Sequence, residues 1–249
     1  MTVRNDKERR NLERGGRRLA AILQTVVDTV KPGATTQQLN DRAAAEMKKA
    51  KVTPAFLGYH GYPAVLCTSV NVKVVHGIPN EQEILKIGDI VGLDIGIKSD
   101  GIITDMAVTV GVGTVEKETA RLIRVTKTAL DKAIAVVRPG ATTGDIGAAV
   151  QEYVESEGFG VVRDLVGHGV GRKLHEEPVV PNFGIAGRGE QLVDGMVIAI
   201  EPMVTAGDWR VQTLGDGWSV VTRDGSLAAH FEHTVLVTAD GVMVITAME

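Results

Sequence analysis

A single cysteine, Cys67, is all that the 249-residue chain contains. One thiol excludes an intrachain disulfide and any cysteine-rich zinc site, and it fits a reducing compartment. No apolar run approaches the roughly 20 residues that a membrane helix needs. The basic start, MTVRNDKERRNLERGGRR, is followed by no apolar core or cleavage site, so it does not read as a secretory signal. With 27 basic against 31 acidic residues, the chain offers no electrostatic footprint for DNA or RNA. The glycine-rich stretches GHGVG and GVGRKL follow no strand at the spacing of a dinucleotide or phosphate loop. These absences leave a cytoplasmic enzyme or binding protein, and 44% apolar residues are enough for a substantial core.

What the chain does have is internal repetition. VKPGATT at 30–36 returns as VRPGATT at 137–143, an offset of 107 residues. Each copy runs Pro-Gly, then threonine, into a helical pattern (37–50 and 144–158), so the threonines read as N-caps. Helical patterns also precede the copies, at about 7–30 and 117–137, although the pair Gly15-Gly16 weakens the first. At the same offset IGDIVGLD (87–94) falls on DGMVIAIE (194–201), with Asp94 over Glu201. The expectation is one catalytic domain in two similar halves, about 10–110 and 117–249, after a short segment 1–9. The period is too long for a solenoid.

Residues 89–96 and 102–110 flank Ser99-Asp100-Gly101, and residues 217–222 and 227–237 flank Arg223-Asp224-Gly225. Both read as β-hairpins, and MVIAI (196–200) reads as a buried strand leading into Glu201. Helices grouped ahead of hairpin-connected strands imply an α+β fold with a largely antiparallel sheet.

The strands carry an unexpected cargo. Asp94 lies in VGLDIG, Asp105 in IITDMAV, Glu201 in VIAIEP and Glu232 in HFEHTVLVT, all apolar surroundings where a charge is costly unless paired or metal-bound. A two-residue turn at 99–101 puts Asp94 and Asp105 on one face, either directly opposed or diagonal. Any one of these carboxylates could cap a turn or pair with Arg or Lys. No matching set of basic residues is embedded beside all four. Four carboxylates with one imidazole carry charge that two divalent cations would balance, and hard oxygen ligands favour Mn, Fe(II), Co or Mg. Paired metals of this kind activate water for hydrolysis.

Asp94, Asp105, His168 in GHGVGR, Glu201 in IEPMV and Glu232 in FEHTVLVT resemble the five ligands of the type I methionine aminopeptidases. YHGYP (59–63), VVHGIP (74–79) and LHEEP (174–178) resemble further motifs of that family, in the same order and spacing from about residue 10 onward. The resemblance implies the pita-bread fold, two pseudo-symmetric halves around two divalent ions (Mn, Fe(II) or Co), acting as a cytoplasmic monomer. It implies removal of the initiator methionine from nascent polypeptides with a small second residue. Asp94 and His168 would each bind one ion, Asp105 and Glu232 would bridge them, and Glu201 would be both ligand and proton shuttle for a bridging water. His76 and His175 would be catalytic hydrogen-bond donors to substrate. Tyr59, Tyr62, Cys67, Leu174 and Trp218 would line the methionine pocket, with Phe56 near its rim and His60 in its wall. Glu176 and Glu177 would be bystanders, and His233 would serve packing or a hydrogen bond. The basic stretch 4–18 is the one candidate for a ribosome contact.

Several positions depart from the family pattern: Leu174 replaces a frequent aromatic, Lys173 a small residue, and His230 a glutamine. Gly96 and the pair Met106-Ala107 stand where hydroxyl or small polar residues are common. The competing readings are a proline-specific peptidase of the same fold, and a binding protein that has kept the fold without the reaction.

Overall fold

The computed structural model describes residues 1–248. Its long helices come in two pairs: α1 (Asp6–Val27) with α2 (Thr36–Ala50), and α3 (Lys117–Ala135) with α4 (Thr143–Ser156). The second helix of each pair begins alike. Thr35 and Thr142 accept an N–H from the first turn, and the side chains of Gln38 and Asp145 accept the cap residue's own N–H. The 107-residue offset recurs in the backbone that follows. Thr35 bridges Ile84 as Thr142 bridges Gln191, and Leu85 N–H donates to Ala34 (2.8 Å) as Leu192 N–H donates to Ala141 (2.7 Å).

Gly15 and Gly16 do not interrupt α1. A side chain at Gly16 would run into the Ile245 carbonyl, and one at Gly15 would meet Ser99 and Thr104. The missing side chain at Gly16 lets the helix lie close against Ile245, which outweighs glycine's poor helix propensity there. No helix among the described residues is long and apolar enough to cross a membrane.

Nine strands make the main sheet: β1 (Thr53–Pro54), β2 (Cys67–Val70), β3 (Ile90–Ser99), β4 (Ile102–Gly111), β5 (Gly167–Gly169), β6 (Glu176–Val180), β7 (Val197–Ile200), β8 (Glu232–Thr238) and β9 (Gly241–Val244). Their order is β1-β3-β4-β8-β7-β5-β6, with β2 also on β3 and β9 also on β8. Every pairing is antiparallel. Alternation along the central hairpin divides the sheet into two faces. Val91, Leu93, Ile95 and Ile97 of β3, with Met106 and Val108 of β4, enter the main core beside Leu19 and Leu23 of α1 and Leu122 and Val125 of α3. Each such side chain, fully buried, contributes about 1.5–3 kcal/mol. Asp94, Gly96, Asp105 and Ala107 occupy the opposite face.

The first hairpin forms with Asp100 (φ 51) and Gly101 (φ 86) as its two turn residues and Ser99 paired to Ile102. The second expected hairpin does not. Residues 220–222 pair with 211–213 and with 73–75, whereas 228–230 pair with 203–205. The expected strand 227–237 also breaks at Phe231, its first part lying in a small sheet and its second becoming β8. Arg223-Asp224-Gly225 turns the chain, but the segments on either side are buried and each finds another partner.

Candidate metal centre

Register across the sheet assembles the site in two adjacent rows. In the first, Cys67 of β2 pairs with Asp94 of β3, Asp94 with Ala107 of β4, and Ala107 with Glu232 of β8. In the second, Gly96 pairs with Asp105, and Ala199 of β7 pairs with both Thr234 of β8 and His168 of β5. Thr234 joins the two parts of that row: its hydroxyl accepts the Asp105 N–H (2.9 Å) and donates to the Asp105 carbonyl (2.8 Å). Members of the rows sit two residues apart on their strands, so all of these side chains face the same way. Asp94 and Asp105 are therefore diagonal neighbours, the second of the two registers open at the sequence level. Glu201 follows directly on β7, its carbonyl held by the Asn182 side chain at 3.0 Å. Ala107 and Ala199 keep the space between the donors clear.

The electrostatics of this group call for a cation. Asp105 and Glu232 are buried at 4% and 2% exposure, while Asp94 and Glu201 keep a little more access from the cavity. Asp94 Oδ1, Asp105 Oδ1 and Glu232 Oε1 are buried without a hydrogen-bond partner. Among the described residues, no Lys or Arg pairs with any of the four carboxylates. Burial raises all four carboxyl pKa values, Asp105 to about 7, and repulsion from neighbouring carboxylates adds to the rise at Asp94, Glu201 and Glu232. Orphaned buried oxygens are what a metal would satisfy.

His168 points to the same conclusion. Its Nδ1 lies 3.0 Å from the Gly169 carbonyl, which can only accept, so Nδ1 carries the proton and Nε2 presents a lone pair. Burial holds the ring's pKa down at about 3, and so it is neutral near pH 7. Nε2 stands 3.4 Å from Glu201 Oε1, lone pair facing carboxylate, an arrangement that a bound cation turns from repulsive to favourable. One donor atom each from Asp105, His168 and Glu232 lie within 4.8 Å of one another.

Beside these donors the same cavity, about 90 Å³, becomes apolar and aromatic: Phe56, Tyr59, Tyr62, Cys67, Leu174 and Trp218 line it, with His76 and His175 at the boundary. Tyr62 donates its hydroxyl to the Gly77 carbonyl (3.0 Å) and meets Trp218 edge-on at 5.1 Å. Trp218 is held by Asp216, whose carboxylate accepts the N–H groups of Trp218 and Ser219 at 2.8 Å each. His76 has φ of 58, a left-handed backbone that β-strands cannot continue, and it swings the ring toward Trp218, 6.4 Å between centroids. The Tyr59 hydroxyl sits 2.7 Å from His175 Nδ1, and the rings of His175 and His168 are 4.3 Å apart.

Two expectations are corrected here. Phe56 is inside the cavity wall, 7% exposed, and its ring fills the space in front of Gly96. A Cβ at Gly96 would lie 2.7 Å from that ring, so a hydroxyl residue at 96 would require the Phe56 ring to move. His60 is exposed and contributes no wall. It packs against the Tyr59 ring at 4.4 Å instead. Glu176 accepts the Lys173 N–H and pairs with the Met1 ammonium at 3.3 Å, and Glu177 is exposed, so neither reaches the carboxylate group. His233 turns its Nδ1 to the Thr246 hydroxyl at 3.0 Å. Leu174 lines the cavity while Lys173 points to solvent. Residues missed at the sequence level are Asn182 and Thr234, which steady Glu201 and Asp105. Only the alternation along β8 gave a hint of Thr234.

Residues 10–239 match the model of metallopeptidase family M24. The chain belongs to metallopeptidase family M24. It is 44% identical over 247 residues to a methionine aminopeptidase of Clostridium acetobutylicum and 46% identical over 247 residues to one of Clostridium perfringens, with 99% of each chain covered in both alignments. The crystal structure of methionine aminopeptidase from Thermotoga maritima superposes with a TM-score of 0.97 at 45% identity, covering all of both chains. A prolidase from Pyrococcus horikoshii shares the fold at a TM-score of 0.81 with 21% identity, and this M24 chain spans 64% of its length. The α+β pita-bread architecture and the metallopeptidase chemistry of the family follow from these matches.

Proposed function

We propose that this M24 chain is a methionine aminopeptidase, removing the N-terminal methionine of nascent polypeptides whose second residue is small. What carries the reading is one cavity with an acidic wall facing an apolar one, in a chain 44–46% identical over its length to methionine aminopeptidases. Asp94, Asp105, His168, Glu201 and Glu232 would hold two divalent cations, drawn from Mn, Fe(II) and Co. When bound, such ions supply Lewis acidity for hydrolysis of the first peptide bond. The methionine side chain lies against Tyr62, Cys67, Leu174 and Trp218, where its thioether meets polarizable and aromatic surfaces. The two halves of the chain work as a single catalytic domain.

The protein's own groups then divide the work. Glu201 accepts the proton of the attacking water and returns it to the departing amine, a role that its place at the cavity beside His168 suits. His76 is neutral near pH 7 because burial draws its pKa to about 4, so it donates one N–H to the substrate carbonyl without adding a cation beside the metals. At His175, the Tyr59 hydroxyl occupies Nδ1 and leaves Nε2–H free for the substrate. Burial raises the Tyr59 pKa and keeps that phenol protonated. In the basic stretch 4–18, Arg14 and Arg18 both pair with Asp100 and Arg9 with Glu13, while Glu8 pairs with Arg172.

The test is release of free methionine from Met-Ala-Ser and Met-Lys-Ser by protein loaded with Mn²⁺ or Co²⁺. Rapid release from the first and little from the second is expected. No release from Met-Ala-Ser, with metal demonstrably bound, overturns the assignment.

A further inference from the structure

Outside the donors already assigned, one buried polar group is aimed at the centre without a partner. His230 ends the short strand 228–230 and is 3% exposed, with its Nε2 buried and free of any hydrogen bond. Its backbone is fixed from both sides by Thr109, whose hydroxyl accepts the His230 N–H (2.9 Å) and donates to the His230 carbonyl (2.8 Å). Across strands, His230 pairs with Met203, two residues beyond Glu201. Nε2 stands 3.7 Å from Glu201 Oε2, while the other carboxylate oxygen, Oε1, faces His168 at 3.4 Å. Glu201 is thus flanked by two imidazoles, one at each oxygen.

The two rings cannot play the same part. The Gly169 carbonyl claims the proton of His168 on Nδ1, so His168 offers Glu201 a lone pair. His230 makes no such bond at Nδ1 and has an ionisable oxygen in front of Nε2. A neutral imidazole facing a carboxylate is most stable with its proton on the nitrogen nearest that oxygen. We propose that His230 is a positioning residue, donating Nε2–H to Glu201 Oε2 and so holding the carboxylate with Oε1 toward His168 and the other donors. This rests on the assignment of Glu201 as ligand and proton acceptor made above. A small closure of the 3.7 Å gap on metal loading completes the bond, as catalytic hydrogen bonds often tighten in the loaded site.

Two measurements test it together. In protein loaded with diamagnetic Zn²⁺, histidine ¹⁵N correlation spectra are expected to show His230 as the Nε2–H tautomer. The Nδ1–H tautomer at His230 overturns the proposal, whatever the protein's activity. In steady-state assays on Met-Ala-Ser, His230→Leu is expected to lower kcat about 10–100-fold, the range for groups that orient metal ligands, with KM changed less than threefold. His230→Gln, which restores an N–H at similar reach, is expected to recover kcat to within about threefold of the parent. A leucine variant with unchanged kcat, or a glutamine variant as impaired as the leucine one, overturns it. If the leucine variant fails to fold, the glutamine variant and the spectrum decide. Absence of methionine release by the parent would count against the assigned reaction and leave the tautomer as the deciding readout.

Discussion

The two faces of the β3–β4 hairpin are made from alternate residues of the same strands, yet they obey opposite rules. Toward the helices, Leu93, Ile95, Ile97 and Met106 are wholly buried and apolar, and every contact there lowers the free energy of the fold. Toward the cavity, Asp94 and Asp105 are buried in the same low dielectric without a counter-ion, which the folded chain must tolerate. A hairpin can bear this only because its other face is so well packed. The helix face supplies stability and the cavity face spends it on a site that becomes favourable when cations arrive. Substitutions one residue apart should therefore fail in opposite ways.

The largest effect is expected on the cavity face. Asp105→Asn keeps the shape but removes one charge and one ligand, and methionine release should fall by more than the hundredfold that outer-shell partners alone reach. In chelator at pH 8, the same variant should melt above the parent, because one of four mutually repelling carboxylates is gone. A variant that loses activity and also melts lower in chelator would mean that Asp105 is a structural residue. On the helix face, Leu93→Ala should cost about 2–5 kcal/mol of stability, or roughly 4–20 °C in melting temperature. Its kcat below the melting range should stay within a fewfold of the parent, since Leu93 and Asp94 point to opposite faces. Loss of kcat without loss of stability would break the division between faces.

How far the sequence discloses these faces depends on how local the deciding interactions are. The hairpin at 99–102, the threonine caps and the alternation that puts Asp94 and Asp105 together all depend on neighbours within a few residues, and each is legible. The failed hairpin around Arg223-Asp224-Gly225 is different. Its flanks are buried on both faces, and their partners, 73–75 and 203–205, are chosen by tertiary packing rather than by the turn. Phe56 stands in an irregular segment whose only clue is the small residue it needs opposite, Gly96, forty positions on. His230 is visible as an oddity of sequence, but that it faces Glu201 requires the register of a strand in a separate sheet. The family motifs identify donors; they say nothing of which neighbours hold them.

The smallest expected effect is also the most direct reading of the cavity face, because it needs no substitution. In metal-free protein the carboxyls of Asp94, Asp105, Glu201 and Glu232 have folded pKa values raised above those of the unfolded chain, Asp105 to about 7. The folded state then binds more protons than the unfolded one, and stability is lost as pH rises through the raised values. His76, His168, His230 and His233 work the other way. Their folded values are lowered to about 3–4, so their contribution is present above their ordinary value of 6.5 and is lost as pH falls. By about a unit above pH 6.5 these histidines are neutral in both states and fall silent. The Met1 amine, also lowered by burial, opposes the carboxyls there, but it is one group against four. Chelated protein should therefore be most stable near pH 6 and lose several degrees of melting temperature by pH 8, at about 2–4 °C for each kcal/mol. Saturating Mn²⁺ holds the carboxylates ionised at no repulsive cost and should remove the decline. A metal-free melting temperature that climbs from pH 6.5 to 8 would mean that the four carboxyls do not share one buried site, and the contrast between the two faces would fall with it.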